Sequence, residues 1–323
     1  MHFVCNFKRQ FLLPAMILTF LLTFTACKPA QRSVRIAIQP SAAFIPLYIA
    51  RYTNAIENAL KKMNVTLVWQ DFESGPPMNE SLSAEMTDIG VIGDVPTVLA
   101  LAGTTKMKLV GIPARGPDAY AMIARADDSS FNSFEDMKGK KIATVFGSTG
   151  HNFIEKLLGK AGLSFEDIEF INISASEAEV ALSEGFADAV IIWEPNITRI
   201  IDRGIAKIVA QGHETDLRGT NGFVVREDYL KENADIIKEI LLQYEEAAKS
   251  LSNLDTEILH KLSLALNVTE AQIKSIMKKY DYSVNVTKED QKALQDTISF
   301  LVSINNLKYE YWVESYIEKD LLK

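Results

Sequence analysis

Cysteine is almost missing from this chain: 323 residues carry two, Cys5 and Cys27. Residues 28–323 therefore hold no thiol, which excludes a disulfide framework, a cysteine nucleophile and a cysteine-based metal centre from the body of the protein. Histidine is scarce too, with four in all. His213 and His260 have no acidic or histidine partner at metal-ligand spacing, which argues against a zinc or manganese site. No metal, cofactor or catalytic residue is expected. Beyond Phe24 no apolar run approaches the roughly 20 residues of a membrane-spanning helix. Basic residues are outnumbered, 34 Lys and Arg against 42 Asp and Glu, for a net charge of −8. Such a surface does not suit nucleic acid, whose binding depends on clustered Lys and Arg. It leaves open an anionic solute, because one pocket can differ in potential from the whole surface.

What is present is ordinary globular material, 47% hydrophobic and 24% charged, in a length that suits two lobes. The N-terminus reads as a sorting signal over residues 1–26. Lys8 and Arg9 give the positive start, Phe11–Phe24 the apolar stretch, and small residues follow. The segment Phe24-Thr25-Ala26-Cys27 resembles the lipobox of bacterial lipoproteins, with Phe24 where Leu, Val or Ile is usual. The resemblance implies lipidation of Cys27, a membrane anchor, a short tether over 27–32 and an extracytoplasmic body. A plain secretory signal with an incidental cysteine is the alternative.

The body alternates strand-like and helix-like segments. Ser33–Gln39, Val65–Phe72, Asp88–Gly93 and Met107–Ala114 read as strands, with helical spacing between them over Pro46–Asn64, Pro77–Met86 and Val95–Gly103. After Arg115-Gly116-Pro117 the rhythm restarts. Strands are predicted at Asp118–Ala126, Lys140–Phe146, Asp167–Ile173, Asp188–Trp193 and, last, Ala206–Gln211. Between them fall helices at Ser133–Met137, His151–Ala161, Ala175–Glu184 and Pro195–Arg203. This order predicts an α/β protein with mainly parallel sheets flanked by helices. From Asp228 onward the chain reads as almost wholly helical, with apolar stripes such as Ile236, Ile240, Leu241 and Tyr244 that suggest scaffold rather than site.

One internal echo stands out. Leu82-Ser83 and Asp88 recur one hundred residues later as Leu182-Ser183 and Asp188. Each is followed by an apolar strand, an acid (Asp94 or Glu194) and a proline (Pro96 or Pro195). Two lobes of like construction would bring both acidic loops to a shared cleft, since ligands of open parallel sheets sit at the carboxyl ends of the strands.

Phe134–Ala143 (FEDMKGKKIA) followed by Gly147-Ser148-Thr149, Asp88–Pro96 (DIGVIGDVP), Ala187–Pro195 (ADAVIIWEP) and the late helix before Asn305-Asn306-Leu307-Lys308 together resemble the nitrate/sulfonate/taurine type of ABC solute-binding protein. The resemblance runs in patches from about Ser33 to Lys308. It implies a two-lobed, type II periplasmic-binding fold. The first lobe would be residues 33–116 plus 217–323, and the second the inserted segment 117–216. A hinge motion would close the lobes on a solute. The implied partners are a small-molecule solute, ABC permease and ATPase subunits, and the membrane through the lipid anchor. The chain would act as a monomer.

The candidate site residues each carry two readings. Gly147-Ser148-Thr149-Gly150 opens a helix, where free N–H groups and hydroxyls hold an anion without a lysine; equally, Ser148 or Thr149 caps its own helix. His151 would contact the solute or be a satisfied structural histidine. Asp94 and Glu194 would meet an amine or cap the helices that follow. Trp193 would face an apolar part of the solute or fill the core. Gln39 and Phe44 follow the first strand, where the family places a pocket wall. Gly93 leaves room for close backbone approach. The expected function is capture of a small anionic or zwitterionic solute for import. An enzyme of thiamin-pyrimidine type on the same fold and a ligand sensor are the alternatives.

Overall fold

A computed structural model describes residues 31–319 and 321–322. Cys27 and the predicted signal lie outside the described residues. Among the described residues the strands are β1 (Arg32–Ile38), β2 (Val65–Asp71), β3 (Ile89–Gly93), β4 (Met107–Gly111), β5 (Tyr120–Arg125), β6 (Lys141–Thr144), β7 (Glu169–Asn172), β8 (Ala189–Trp193), β9 (Ala206–Gln211) and β10 (Asn221–Arg226). They form two sheets of five, in the orders β2-β1-β3-β10-β4 and β7-β6-β8-β5-β9. Position by position the two orders correspond. In each, the fourth strand is antiparallel to both neighbours: β10 against β3 and β4, β5 against β8 and β9. The reversed strand is always the first to enter after a crossing from the other sheet.

The central strands explain themselves. Every residue of β3 (IGVIG) and β8 (AVIIW) is buried, as expected of strands covered on both faces. The helices supply that cover: α1 (Ile45–Tyr52), α2 (Ala55–Lys62), α3 (Gly75–Ser83), α4 (Asp94–Ala102), α5 (Thr149–Ala161), α6 (Ala178–Ser183) and α7 (Asn196–Asp202). The later helices are α8 (Glu227–Glu232), α9 (Ala234–Lys249), α10 (Thr256–Leu266), α11 (Glu270–Ile276) and α12 (Lys288–Ser303). The stripe of α9 packs on α1 and α2, and α12 lies against α4. Among the described residues no helix is long and apolar enough to cross a membrane.

Two expectations change. The stretch after Ala206–Gln211 holds a further strand, β10, all six residues of which are buried between β3 and β4. The single helical stretch Pro46–Asn64 is two helices, interrupted where Asn54 takes a left-handed φ of 53°.

The crossings between the sheets run side by side. Gly116 N–H donates to Gly219 O at 3.3 Å and Asn221 N–H to Ala114 O at 3.0 Å. Both are tied to α12 through Asp290, which is fully buried. Arg115 Nε and Nη2 reach its two oxygens at 2.7 and 2.6 Å, and Arg218 Nε reaches Oδ1 at 2.6 Å. Burial alone would raise the carboxyl's pKa, but hydrogen bonds from Arg115 and Arg218 outweigh it and hold it below the usual range.

Candidate functional site

The carboxyl ends of β1, β3, β6 and β8 converge on one small cavity. It is lined by Gln39, Gly75, Gly93, Pro96, Tyr120, Ser148, Thr149 and Trp193. Five of the nine residues singled out in the sequence therefore meet here: Gln39, Gly93, Ser148, Thr149 and Trp193. The space is about 20 Å³, room for about one water. A larger groove of about 700 Å³ runs beside the crossings. Several of its cations are already paired: Arg115 and Arg218 with Asp290, Lys279 with Glu194, and Lys292 with Asp296 in the same wall. The small cavity is the better candidate because it lies at the carboxyl ends of the strands and holds the unpartnered Gln39 Oε1.

Each wall has a local cause. After β6, Gly147 turns with φ +71° and α5 begins. Ser148 is its N-cap: the hydroxyl accepts from Gly150 N–H at 3.1 Å and donates to Val145 O at 2.7 Å. That side chain serves its own helix, as one of its two readings held, while the helix's positive end still faces the cavity. Thr149 stands so close to Gly93 that a Cβ there would lie 2.4 Å from the Thr149 hydroxyl. Only glycine permits that approach. Gln39 is 7% exposed and its Oε1 has no hydrogen-bond partner. A buried amide oxygen without a partner costs on the order of 1–3 kcal/mol unless something fills the gap. Tyr120, at the start of β5, pairs with Trp193 across the ladder. Burial pushes its phenol pKa up, so the hydroxyl keeps its proton.

The other four named residues do not line the cavity. Phe44 is fully buried in the core beneath the first sheet. His151 sits in an aromatic nest, its ring centroid 4.8 Å from Phe146, 5.4 Å from Phe165, 5.2 Å from Phe170 and 5.5 Å from Phe300. Burial there pushes its pKa down to about 4, so it is neutral at pH 7. Asp94 Oδ1 accepts from Val95 N–H at 2.8 Å, and Oδ2 from the Asn152 amide at 2.7 Å and the Thr297 hydroxyl at 3.2 Å. Burial raises its pKa, against hydrogen bonds from Thr149, Asn152 and Val95 that lower it. Glu194 has no exposed surface. It accepts from Thr198 N–H at 3.1 Å and the Thr198 hydroxyl at 2.9 Å, and pairs with Lys279 Nζ at 2.5 Å. Each acid thus accepts from a backbone N–H in the first turn of the neighbouring helix.

Asn152 and Thr297, which hold Asp94, and Lys279 were not visible as site residues. Thr297 and Lys279 lie in the C-terminal helical region read as pure scaffold, and the structure brings that region to the edge of the cleft. Contacts cross the cleft directly as well: Ala42 N–H donates to Glu194 O at 3.3 Å and the Ser176 hydroxyl to Glu73 Oε1 at 2.6 Å.

Two mixed five-stranded sheets with the site between their edges define a periplasmic-binding fold. A family model described as "NMT1/THI5 like" matches residues 76–254, and the chain belongs to that family. Among curated relatives, a putative aliphatic sulfonates-binding protein of Bacillus subtilis (strain 168) is 28% identical over 293 residues, 90% of this chain and 87% of that protein. A protein of the same description from Escherichia coli (strain K12) is 29% identical over 223 residues, 69% of this chain and 68% of that one. Of solved structures, the alkanesulfonate-binding protein SsuA from Xanthomonas axonopodis pv. citri, bound to MOPS, superposes with a TM-score of 0.79. It is 24% identical, and the match covers 89% of this chain and 98% of that one.

Proposed function

We propose that this chain is the solute-binding component of an ABC importer and that it takes an organosulfonate or a similar small anion between its lobes. The observation that carries the reading is the set of groups at the cavity. The N-terminus of α5, the Thr149 and Tyr120 hydroxyls and the Gln39 amide, whose Oε1 has no partner, converge there, and no Lys or Arg is among the lining residues. Neutral donors and a helix N-terminus suit a tetrahedral, singly charged head group. Pro96 and the Trp193 ring offer apolar surface to its tail. The relatives named for aliphatic sulfonates point the same way.

A space of about 20 Å³ cannot admit a sulfonate. Entry therefore needs the lobes, 33–116 with 217–323 and 117–216, to part about the paired crossings. Cys27 would carry the lipid anchor, and a single copy would deliver its cargo to a permease. Nitrate and taurine fit the same donor set. The enzyme reading is the weaker one, because no cysteine occurs after residue 27 and no nucleophile–base pair lines the cavity.

A thermal-shift screen of the purified chain against alkanesulfonates, taurine and nitrate tests this. At a hundredfold excess over its dissociation constant, a bound solute adds about 2.7 kcal/mol of stability. A hit that Thr149→Ala abolishes supports the reading; a flat panel on folded protein sinks it.

A further inference from the structure

We infer that Asp94 is a resident counter-charge that makes the cleft select a singly charged head group over a doubly charged one. This deepens the sulfonate-type reading and rests on it. Helix α4 begins at Asp94 and α5 at Thr149, and their first turns meet beside the cavity, where Gly93 abuts the Thr149 hydroxyl. The positive ends of two helices, nine and thirteen residues long, therefore converge on one place. Each is equivalent to roughly half a positive charge, so the two amount to about one unit.

Asp94 sits at that convergence with 4% of its surface exposed. Its carboxylate takes a donor from its own helix (Val95 N–H), one from α5 (the Asn152 amide) and one from α12 (the Thr297 hydroxyl). Lys156, a more distant cation whose field it feels, is itself paired with Asp216 at 2.7 Å. The ionised form of Asp94, opposed by its burial and favoured by these hydrogen bonds, would offset that unit of positive potential. What remains for a solute is a set of neutral dipoles, among them the unpartnered Gln39 oxygen or, with the amide turned, its N–H₂. One delocalised charge can be held by such dipoles. A second negative charge finds no counter-charge in the wall and meets the field of Asp94 through protein of low dielectric. At a separation of several ångströms that repulsion is worth roughly tenfold or more in affinity.

The probes are butyl sulfate and butyl phosphate at pH 8, alike in shape and tail. The first carries one charge and the second close to two. Butanesulfonate, titrated alongside by calorimetry with the full chain, checks the underlying reading. The wild type is expected to prefer butyl sulfate by at least about tenfold. In Asp94→Asn, which keeps the side chain's shape, the ratio should shift toward butyl phosphate by a similar factor. A merely structural role for Asp94 would weaken both ligands equally and leave the ratio unchanged, which overturns the inference. Should the variant not fold, the wild-type ratio decides alone, and equal affinities overturn it. Butanesulfonate binding with a flat ratio sinks only the charge selection, whereas no butanesulfonate binding sinks the reading beneath it as well.

Discussion

Residues 82–96 and 182–196 build the same unit in the two halves of the molecule, and their differences are as instructive as their likeness. In both, a helix ends, the chain turns through a left-handed residue, and a buried strand follows. Glu85 holds that turn at φ 57° in one and Gly185 at φ +73° in the other. Met86 and Phe186, the next residues, are both exposed, at 61% and 64%. Then Asp88 and Asp188 each accept from the backbone N–H of the neighbouring parallel strand, Arg35 and Lys141, at 2.8 Å. The plan diverges in what surrounds these acids. Asp88 is buried and also grips the Arg35 guanidinium at 2.9 and 2.6 Å, whereas Asp188 is half-buried and bonds the Lys141 backbone rather than its side chain. At the far end of the strands, Asp94 reaches across the cleft to Asn152, while Glu194, one methylene longer, turns back to Thr198 and out to Lys279. A shared backbone plan therefore fixes where the acids stand, and their neighbours decide what they do.

The largest expected effect separates Asp88 from Asp188. Asp88→Ala removes a buried ion pair and strands a backbone N–H, and should cost about 3 kcal/mol in urea denaturation. Asp188→Ala, losing one backbone partner, should cost about 1 kcal/mol. Equal costs would mean that Arg35 adds nothing and that the two units are energetically alike.

His151, on α5 outside both units, adds a pH-dependent contrast. Its pKa falls from 6.5 to about 4 on folding. The unfolded chain then binds the extra proton between those values, so this contribution to stability is complete above pH 6.5 and is lost as pH falls toward 4. The loss amounts to roughly 3 kcal/mol. The difference between wild type and His151→Phe, from denaturation at a series of pH values, isolates it from other titrating groups. A difference constant across pH 4–7 would show that the imidazole takes up its proton equally in the folded and unfolded chains.

The smallest and sharpest contrast is at the shared turn. Glu85→Gly should stabilise by about 1 kcal/mol, since a left-handed φ strains any residue with a Cβ, and Gly185→Ala should destabilise by a similar amount. Melting curves of the two variants should move in opposite directions. Movement in the same direction would show that the turns, although alike in φ, carry different loads.

Much of the fold was legible because its strands are short, buried and bounded by turns: DIGVIG and ADAVIIW announce themselves. β10 was not, since only Phe223, Val224 and Val225 are apolar between a polar loop and a charged helix start. It becomes a strand because β3 and β4, more than a hundred residues earlier, leave a slot that it fills. The cavity shows the same division. Gln39, Gly93, Ser148 and Trp193 follow or end strands whose carboxyl ends point to the cleft, and that rule finds them. Tyr120 escapes the rule because β5 runs backwards, which puts the strand's first residue at the cleft edge. Phe44 obeys its position in sequence but points into the core.

By itself, then, the sequence determined the α/β class, the two like units, the helix start at Ser148 and the absence of thiol chemistry beyond residue 27. These follow from local periodicity, capping chemistry and composition, all of which act within a few residues. Only the tertiary structure decided that Asp94 joins α4, α5 and α12, that Lys279 closes on Glu194, and that His151 is buried neutral among phenylalanines. Those outcomes depend on groups up to two hundred residues apart being brought into hydrogen-bond range. Burial and charge pairing take their values only after the chain has packed.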